Sequence, residues 1–271
     1  MDDAGLSAVE PAVLTTREGA VLTATMNRPA RLNAFNTAMH EALSNAVAEA
    51  RDDKSIRVFV LTGAGRAFSA GQDLSDSTMG ENDAEPDLGH TLDTRYNPLV
   101  RSIRCLPIPT VAAINGVAAG AALNIALICD IAVAARSAAF LQPFANLGLV
   151  PDAGGTFTLP RLVGLGRARA LALLAEKIDA DTAERWGLIY KVFDDDAFAA
   201  ETAKITTRLA SLPTDGLAAI KRAFDEAETN SLTAQLDAER DAQRLAGQHP
   251  DYREGVSAFI EKRKPNFVGR R

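Results

Sequence analysis

The sequence predicts an α/β fold with largely parallel strands, followed by an all-helical C-terminal region. Three continuous apolar runs, at residues 57–62, 110–114 and 131–135, are typical of strands that are covered on both faces. Helical patterns separate these runs, and such an alternation favours a parallel sheet. Beyond Asp194 the chain carries many charges and contains no strand-like run. The last quarter of the chain is therefore expected to be helical.

The remaining elements follow from residue spacing. Residues 21–26 alternate between apolar and polar side chains, as in a strand. Asn36 and Thr37 form a start signal for a helix that should extend to about Asp52. Its apolar positions have helical spacing and are Leu43, Ala46, Val47 and Ala50. Further helices are expected at 97–106, 121–129 and 167–175, and a further strand at 189–193.

The C-terminal pattern consists of four helical segments, at 196–211, 214–229, 231–246 and 251–263. Pro213 and Pro250 separate members of this set. We expect residues 1–195 to form the core domain and residues 196–271 to form a helical region that mediates oligomerisation. Within the core, residues 75–89 are polar and acidic, which predicts a mobile surface loop.

Composition excludes several classes of function. The 271 residues carry a net charge of -6, which argues against a nucleic-acid partner, and 47% are hydrophobic, enough for a sizeable core. Cys105 and Cys129 lie in apolar runs and are expected to be buried thiols in a reducing compartment. The N-terminus lacks a basic-then-apolar signal and no apolar run reaches the length of a membrane span, so we expect a cytoplasmic protein. The three histidines are far apart, and no metal site is expected.

Asp152 is the principal candidate for proton chemistry. It is the only carboxylate between Asp130 and Glu176, and no histidine occurs in that interval. Its neighbours at 147–156 are mostly apolar or glycine, and desolvation by such neighbours predicts a raised pKa and a stronger base. The alternative is structural, because an Asp in a Pro-Asp-x-Gly turn often caps a helix or bonds its own backbone.

Two glycine-rich segments, at 62–74 and 115–124, each follow a predicted buried strand. The first begins like a dinucleotide-binding motif, but Phe68 occupies the third glycine position and no phosphate-loop lysine follows. The second opens a helix near Gly120 and Ala121, where backbone N–H groups have no intrahelical acceptor. One N–H group from each segment would form an oxyanion hole. Ordinary strand-to-helix turns are the alternative.

These segments resemble the crotonase superfamily, which comprises enoyl-CoA hydratases, isomerases and their relatives. The resemblance covers nearly the whole chain, through motifs at 26–34, 67–74, 109–120, 129–130, 154–156 and 251–259. Within the superfamily the pattern is most similar to isomerases that act on the ring 1,2-epoxide of phenylacetyl-CoA in aerobic phenylacetate degradation. That similarity is carried by motifs at 86–89, 96–101, 147–152, 227–230 and 239–247.

The resemblance implies a spiral of ββα units, a helical C-terminal region, and trimers that pair into hexamers. It also implies an acyl-CoA thioester substrate, so that coenzyme A enters with the substrate and no separate cofactor is needed. By motif position, the backbone N–H groups of Gln72 and Ala121 would hold the thioester carbonyl. The implied substrate-binding residues are Arg28, Arg31, Leu32, Ala70, Asp73, Leu74, Gly120 and Phe144. Phe259 and Lys262 could close the site of a neighbouring subunit, with core packing and a solvated lysine as the alternative.

Two departures from the family pattern bear on the reaction. Hydratases of this family carry one glutamate at the position of Asn124 and another after a Gln-Pro pair, where this chain has Phe144. Neither side chain can exchange a proton with water in that role. The resemblance therefore implies an isomerase in which Asp152 is the base, converting ring-1,2-epoxyphenylacetyl-CoA to oxepin-CoA. The alternatives are a Δ3,Δ2-enoyl-CoA isomerase and, further away, a hydratase, a dehalogenase or a non-catalytic binding relative.

Overall fold

The computed structural model describes residues 10–75 and 87–270, and in that part of the chain ten strands form two β-sheets. In chain order the strands are β1 (Val13–Glu18), β2 (Val21–Met26), β3 (Val58–Gly63), β4 (Ala67–Ser69), β5 (Thr110–Ile114), β6 (Val117–Ala119), β7 (Ile131–Ala135), β8 (Ala139–Leu141), β9 (Ile178–Asp179) and β10 (Lys191–Phe193). The larger sheet has the order β1-β2-β3-β5-β7-β10, and the smaller has the order β4-β6-β8-β9. Only β1–β2 and β8–β9 are antiparallel among these described pairs. The predicted α/β class is confirmed.

The helices complete a repeating strand-strand-helix order. They are α1 (Thr37–Asp52), α2 (Leu88–Thr91), α3 (Asn97–Arg104), α4 (Gly120–Ile128), α5 (Gly155–Leu174), α6 (Ala180–Trp186), α7 (Phe198–Ala210), α8 (Thr214–Ala227), α9 (Leu232–Gln248) and α10 (Pro250–Ile260). Residues Leu92–Tyr96 form a π-helical turn between α2 and α3, and Pro143–Leu147 form a 3-10 turn after β8. The succession β1-β2-α1, β3-β4-α3, β5-β6-α4 and β7-β8-α5 is the ββα repeat that the resemblance implied.

The central strands are apolar on both faces because both faces are covered. On β3, Phe59 and Leu61 point into the main core, whereas Val58 and Val60 point into a second cluster that includes residues of α7. Full burial of each such side chain stabilises the fold by roughly 1.5–3 kcal/mol. The continuous apolar runs seen in the sequence are thus a direct consequence of a sheet between two layers.

Helix α1 begins where the sequence predicts. The Asn36 side chain accepts a hydrogen bond from the Met39 amide at 2.9 Å and so caps the first turn. Such a cap is worth about 1 kcal/mol. The four apolar positions chosen from helical spacing are all buried, together with Met39 and His40.

The smaller sheet was not predicted. Its strands have two or three residues each, which is too short for a hydrophobic period to be recognised. They are nevertheless central, since Phe68, Ala118 and Phe140 have no exposed surface. The short strand β4 lies between β3 and the turn at Gly71, and the short strand β6 lies between β5 and the turn at Gly120. The predicted strands therefore do not lead directly into these turns.

The C-terminal region is helical from Phe198 to Ile260, and the observed helices match the predicted ones to within a few residues. Lys221 of α8 attaches this region to the core, where its ammonium group forms a 2.8 Å ion pair with Asp130 and donates to the carbonyl of Ile108. In the described part of the chain, no helix is both long and apolar enough to cross a membrane.

Three boundaries differ from the expectations. Helix α5 is divided by a kink at Gly164, whose backbone (φ 78°, ψ 156°) is not helical. The part after the kink corresponds to the predicted helix at 167–175, and the part that begins at Gly155 was not predicted. Strand β10 covers only Lys191–Phe193 of the expected 189–193. Of the loop predicted at 75–89, residues 76–86 lie outside the described part, and the chain is already helical from Leu88.

Candidate active site

Three segments of the candidate site leave the same edge of the smaller sheet. Strands β4, β6 and β8 are parallel neighbours, so their carboxyl ends lie side by side. Residues 70–73 follow β4, Gly120 follows β6, and Gln142 follows β8. Ligands of α/β proteins commonly bind beyond the carboxyl ends of such strands.

The turn at Gly71 packs directly against the start of α4. Gly71 has a φ of 90°, and a Cβ atom added to it would lie 2.9 Å from the Ala119 carbonyl oxygen and 3.8 Å from the Ala121 nitrogen. Only glycine allows this conformation and this approach together. The structure therefore brings the two segments that contain Gln72 and Ala121 into contact, as the sequence analysis required.

Both candidate amide groups are oriented away from secondary-structure partners. Ala121 is the second residue of α4, and the first four N–H groups of a helix have no intrahelical acceptor. Gln72 forms a parallel bridge with Phe35, in which the Asp73 amide donates to the Phe35 carbonyl at 2.9 Å. Since successive amides of an extended segment point to opposite sides, the Gln72 N–H group points away from Phe35. The pair is suited to hold one oxyanion.

One carboxyl oxygen of Asp152 is buried in the interior of the protein. The side chain is half-buried, and its Oδ1 atom is inaccessible to solvent and has no hydrogen-bond partner in the described residues. Burial raises the pKa of the Asp152 carboxyl from 3.8 to about 6, against a smaller opposing effect of its own backbone amide. The carboxyl group also interacts with its own backbone amide, as the structural alternative expected, so the role of Asp152 as the base stays a prediction. This carboxylate is desolvated and suited to accept a proton from a ligand.

Tyr96 completes the site, although the sequence analysis gave it no role beyond its place in a motif. Its hydroxyl donates a 2.5 Å hydrogen bond to Oε1 of Gln72. Burial raises the pKa of the Tyr96 phenol, and the charge of Asp152 raises it further. The phenol consequently remains protonated at neutral pH and acts as a permanent donor to Gln72. A single tyrosine just before a predicted helix carries no signal of this contact, which depends on how the π-helical turn at Leu92–Tyr96 packs.

His40 lies behind Tyr96 and is not a candidate acid or base. Its ring centroid lies 4.4 Å from that of Tyr96 and 5.1 Å from that of Phe35. Burial, with a smaller contribution from the charge of Arg95, lowers the pKa of His40 to about 4. The imidazole is therefore neutral and serves as a packing group for the tyrosine.

Asn124 and Phe144 stand at the two positions where hydratases of the family have glutamates. Asn124 is fully buried, and its Nδ2 atom donates to the Asp152 carbonyl oxygen at 2.8 Å. Phe144 is buried and packs on Gly120, where an added Cβ atom would lie 3.7 Å from the ring. At these positions the chain thus offers an amide and a benzyl group, as the sequence indicated.

Part of the implied substrate-binding set forms one connected surface. Arg28 forms a 2.9 Å ion pair with Asp73, and its guanidinium also donates to the Ala34 carbonyl. Hydrogen bonds from Ser75, followed by those from Arg28, lower the pKa of Asp73. The Ala70 amide donates to the Leu32 carbonyl at 2.9 Å, which fixes the segment at 28–34 beside the Gly71 turn.

Other implied contacts are exposed. Arg31 is exposed, and Leu74 exposes 60% of its surface. A role for either in binding coenzyme A stays a prediction. Phe259 is 85% exposed, so the alternative of core packing is wrong for it within one chain. Its contact with a neighbouring subunit stays a prediction, as does that of Lys262.

The described residues contain no group of three or more His, Cys, Asp or Glu side chains that could hold a metal ion. Of the two cysteines, Cys129 is buried, as predicted, whereas Cys105 is exposed. Cys105 follows the last residue of α3, where a helix end leaves the side chain at the surface.

The model of the family described as "Enoyl-CoA hydratase/isomerase" matches residues 16–270 of this chain. The chain belongs to the enoyl-CoA hydratase/isomerase family. Among similar proteins, the 1,2-epoxyphenylacetyl-CoA isomerase of Escherichia coli strain K12 is 50% identical over 95% of this chain and 98% of its own length. A probable enoyl-CoA hydratase of Rhodobacter capsulatus is 46% identical over 91% of this chain and 93% of its own length. The crystal structure of enoyl-CoA hydratase from Bacillus anthracis superimposes with a TM-score of 0.89 at 31% identity, covering 95% of this chain and 99% of that chain. These similarities confirm the crotonase fold and an enzyme of the hydratase/isomerase family.

Proposed function

We propose that this enzyme isomerises an acyl-CoA thioester, with ring-1,2-epoxyphenylacetyl-CoA as substrate and oxepin-CoA as product. The observation that carries the proposal is the buried, unpartnered Oδ1 atom of Asp152, in a site without carboxylates at positions 124 and 144. The 50% identity to an isomerase of this specificity supports the choice of substrate. Coenzyme A enters as part of the substrate, and no other cofactor is needed.

In the proposed mechanism, the thioester carbonyl oxygen accepts hydrogen bonds from the amides of Gln72 and Ala121. Asp152 removes a proton from the acyl chain, and the electron pair moves into the carbonyl to form an enolate. Each such amide donor typically lowers the barrier by roughly 2.7–4 kcal/mol. With a pKa of about 6, the Asp152 carboxylate is ionised at neutral pH and is a stronger base than an ordinary aspartate.

The same carboxyl group then returns the proton to a different carbon. For the ring epoxide, breaking of the carbon–carbon bond shared by the two rings expands the six-membered ring to an oxepin. No atom is added or lost, so one carboxyl group that accepts and returns a proton is sufficient. Hydration would require a second group to activate water, and the amide and benzyl groups of Asn124 and Phe144 do not supply it.

The second candidate is a Δ3,Δ2-enoyl-CoA isomerase, which the same observation favours. Removal of a proton from one carbon and its return two carbons away needs the same base and the same pair of amides. The two candidates differ in the acyl group, which is not specified by Asp152. A hydratase, a dehalogenase with Asp152 as nucleophile, and a binding-only relative are less well supported.

We also propose that the enzyme assembles as a trimer or as a pair of trimers. Large apolar side chains are strongly exposed on the C-terminal helices, among them Phe224 (74%), Leu232 (76%), Leu245 (70%) and Ile260 (72%). Large apolar side chains exposed in such number on one region are typical of an interaction surface. Light scattering of the purified enzyme is expected to give a multiple of three subunits; a monodisperse monomer or dimer would refute the assembly.

The test of the reaction is a product assay with three substrates. Wild-type enzyme and Asp152→Asn are each incubated with the ring epoxide of phenylacetyl-CoA, a 3-enoyl-CoA and a 2-enoyl-CoA, and the products are identified by mass spectrometry. We expect turnover of the epoxide by the wild type, no mass gain of water, and loss of most turnover in Asp152→Asn with acyl-CoA binding retained. Addition of water to the 2-enoyl ester as the main reaction, or full activity of the variant, would refute the proposal.

A further inference from the structure

A chain of two buried amides ends on the residue that bears the proposed base. Asn124 and Gln142 each have no exposed surface. Nε2 of Gln142 donates to Oδ1 of Asn124 at 2.7 Å, and Nδ2 of Asn124 donates to the Asp152 carbonyl oxygen at 2.8 Å. The two residues come from different elements, α4 and the end of β8, so the network joins three segments of the site.

The direction of these hydrogen bonds is fixed by chemistry. The Asp152 carbonyl can only accept, so Asn124 must turn its NH2 group towards it. The Asn124 oxygen then faces Gln142, which must in turn present its own NH2 group. The amide at position 124 donates and accepts in this way while it remains uncharged at every pH. A carboxylate there would place an oxygen against the Asp152 carbonyl, and an apolar side chain would leave buried polar groups unpaired, at about 1–3 kcal/mol each.

The network holds a backbone turn that is unfavourable by itself. Ala153 has a φ of 48° and Gly154 a φ of 85°, so two consecutive residues after Asp152 are left-handed. For a residue with a Cβ atom this conformation costs about 1 kcal/mol. The Asp152 carbonyl is held from two sides, because the Gly155 amide also donates to it at 2.8 Å.

The fit around Asn124 is tight. A Cβ atom added to Gly155 would lie 2.4 Å from Nδ2 and 2.7 Å from Oδ1 of Asn124. The amide of Asn124 therefore rests directly on the first residue of α5 and leaves no space for a side chain at 155. Position 124 supports the backbone of the Asp152 turn and cannot at the same time direct a carboxylate at a water molecule.

We propose that Asn124 and Gln142 are positioning residues that hold the Asp152 turn so that its carboxyl points into the site. The proposal rests on the proposed function, in which Asp152 is the base. The amides thus have a function of their own. Asn124 stands where a hydratase has a glutamate, and here it helps to orient the carboxylate of Asp152. Neither amide needs to touch the substrate.

The first test uses Asn124→Asp, which keeps the size of the side chain and its acceptor for Gln142 but, once ionised, removes the donor to Asp152. Displacement of a catalytic group by about 1 Å can lower the rate on the order of 100-fold. We expect kcat to fall by at least tenfold and KM for the acyl-CoA to change by less than threefold. The acidic limb of the pH profile should move to higher pH, because a second carboxylate beside Asp152 disfavours its ionisation. Gln142→Leu should lower kcat without this shift, because it adds no charge.

The matched control is Gln235→Leu. Gln235 is buried in α9 outside the site, where its Nε2 atom donates to the Ala223 carbonyl at 2.9 Å and its Oε1 atom accepts from Asn230. We expect it to lower the melting temperature by as much as Gln142→Leu, with kcat and the pH profile unchanged. If all three variants lose activity only in proportion to stability, the positioning role is refuted.

A second readout does not depend on turnover. Hydrogen–deuterium exchange of the segment 145–157 is expected to accelerate at least tenfold in Asn124→Asp and Gln142→Leu, and to remain unchanged in Gln235→Leu. Equal exchange in all proteins would overturn the proposal. If the wild type isomerises neither the ring epoxide nor the 3-enoyl-CoA but the exchange rates change as expected, the proposed reaction fails and the positioning of Asp152 stands. If Asp152 is essential for turnover but the amide variants keep wild-type kcat and pH profile, only the positioning proposal fails.

Discussion

Replacement of Asp152 by asparagine should make the protein more stable while it removes activity. The carboxyl of Asp152 ionises with a pKa of about 6 in the folded protein, against an ordinary value of 3.8, because burial disfavours its charged form. Each tenfold change in an ionisation constant corresponds to about 1.4 kcal/mol, so the charge of Asp152 destabilises the fold by on the order of 3 kcal/mol. Asparagine keeps the shape of the side chain without that charge.

The sign of the pH dependence follows from the raised pKa. Between pH 3.8 and about 6 the folded protein binds more protons at Asp152 than the unfolded chain does, so its stability falls as the pH rises through this window. Below the window both states are protonated at this residue. The advantage of Asp152→Asn should therefore be close to zero near pH 4 and reach its full value above about pH 6.

Reversible urea unfolding at fixed protein concentration, at pH 4 and pH 7.5, measures this difference. Asp73→Asn is a control of opposite sign, because hydrogen bonds from Ser75 and Arg28 lower the pKa of Asp73 and its charge stabilises the fold at neutral pH. We expect Asp152→Asn to gain stability at pH 7.5 and Asp73→Asn to lose it. An Asp152→Asn protein that is no more stable than the wild type at pH 7.5 would refute the desolvation of this carboxylate.

Three further predictions concern the site. The kcat/KM of the wild type should rise with pH through an acidic limb near pH 6, set by Asp152; a limb near pH 4 would contradict the burial argument. Gly71→Ala should lower kcat by about 100–1000-fold, as expected for a lost oxyanion donor, because its Cβ atom would lie 2.9 Å from a backbone oxygen of β6. Gly19→Ala is its control, since Gly19 has a similar positive φ of 59° with no atom within 4 Å; equal losses in both variants would attribute the effect to backbone strain alone. Tyr96→Phe should lower kcat by about 2–10-fold through loss of the bond to Gln72, and the same loss should lower the melting temperature slightly; wild-type kinetics would show that this bond does not orient the site.

Local patterns in the sequence determined much of the fold and one central residue. Continuous apolar runs predicted β3, β5 and β7, because a strand between two layers must be apolar on both faces. Asn36 predicted the start of α1, since a cap acts on the next three residues of the chain. Asp152 was found because it is an isolated acid among apolar sequence neighbours. Burial raises its pKa, although the neighbours Leu149 and Val150 are themselves exposed.

The tertiary structure alone decided how the site is assembled. The short strands β4, β6 and β8 carry no readable period, yet their parallel pairing brings the turns at Gly71, Gly120 and Gln142 to one edge. The bond from Tyr96 to Gln72 spans 24 residues and that from Asn124 to Asp152 spans 28, and neither residue type announces such a partner. The physical reason is that apolar periodicity and caps act over a few neighbouring residues, whereas the orientation of a carboxylate depends on side chains that only packing brings together.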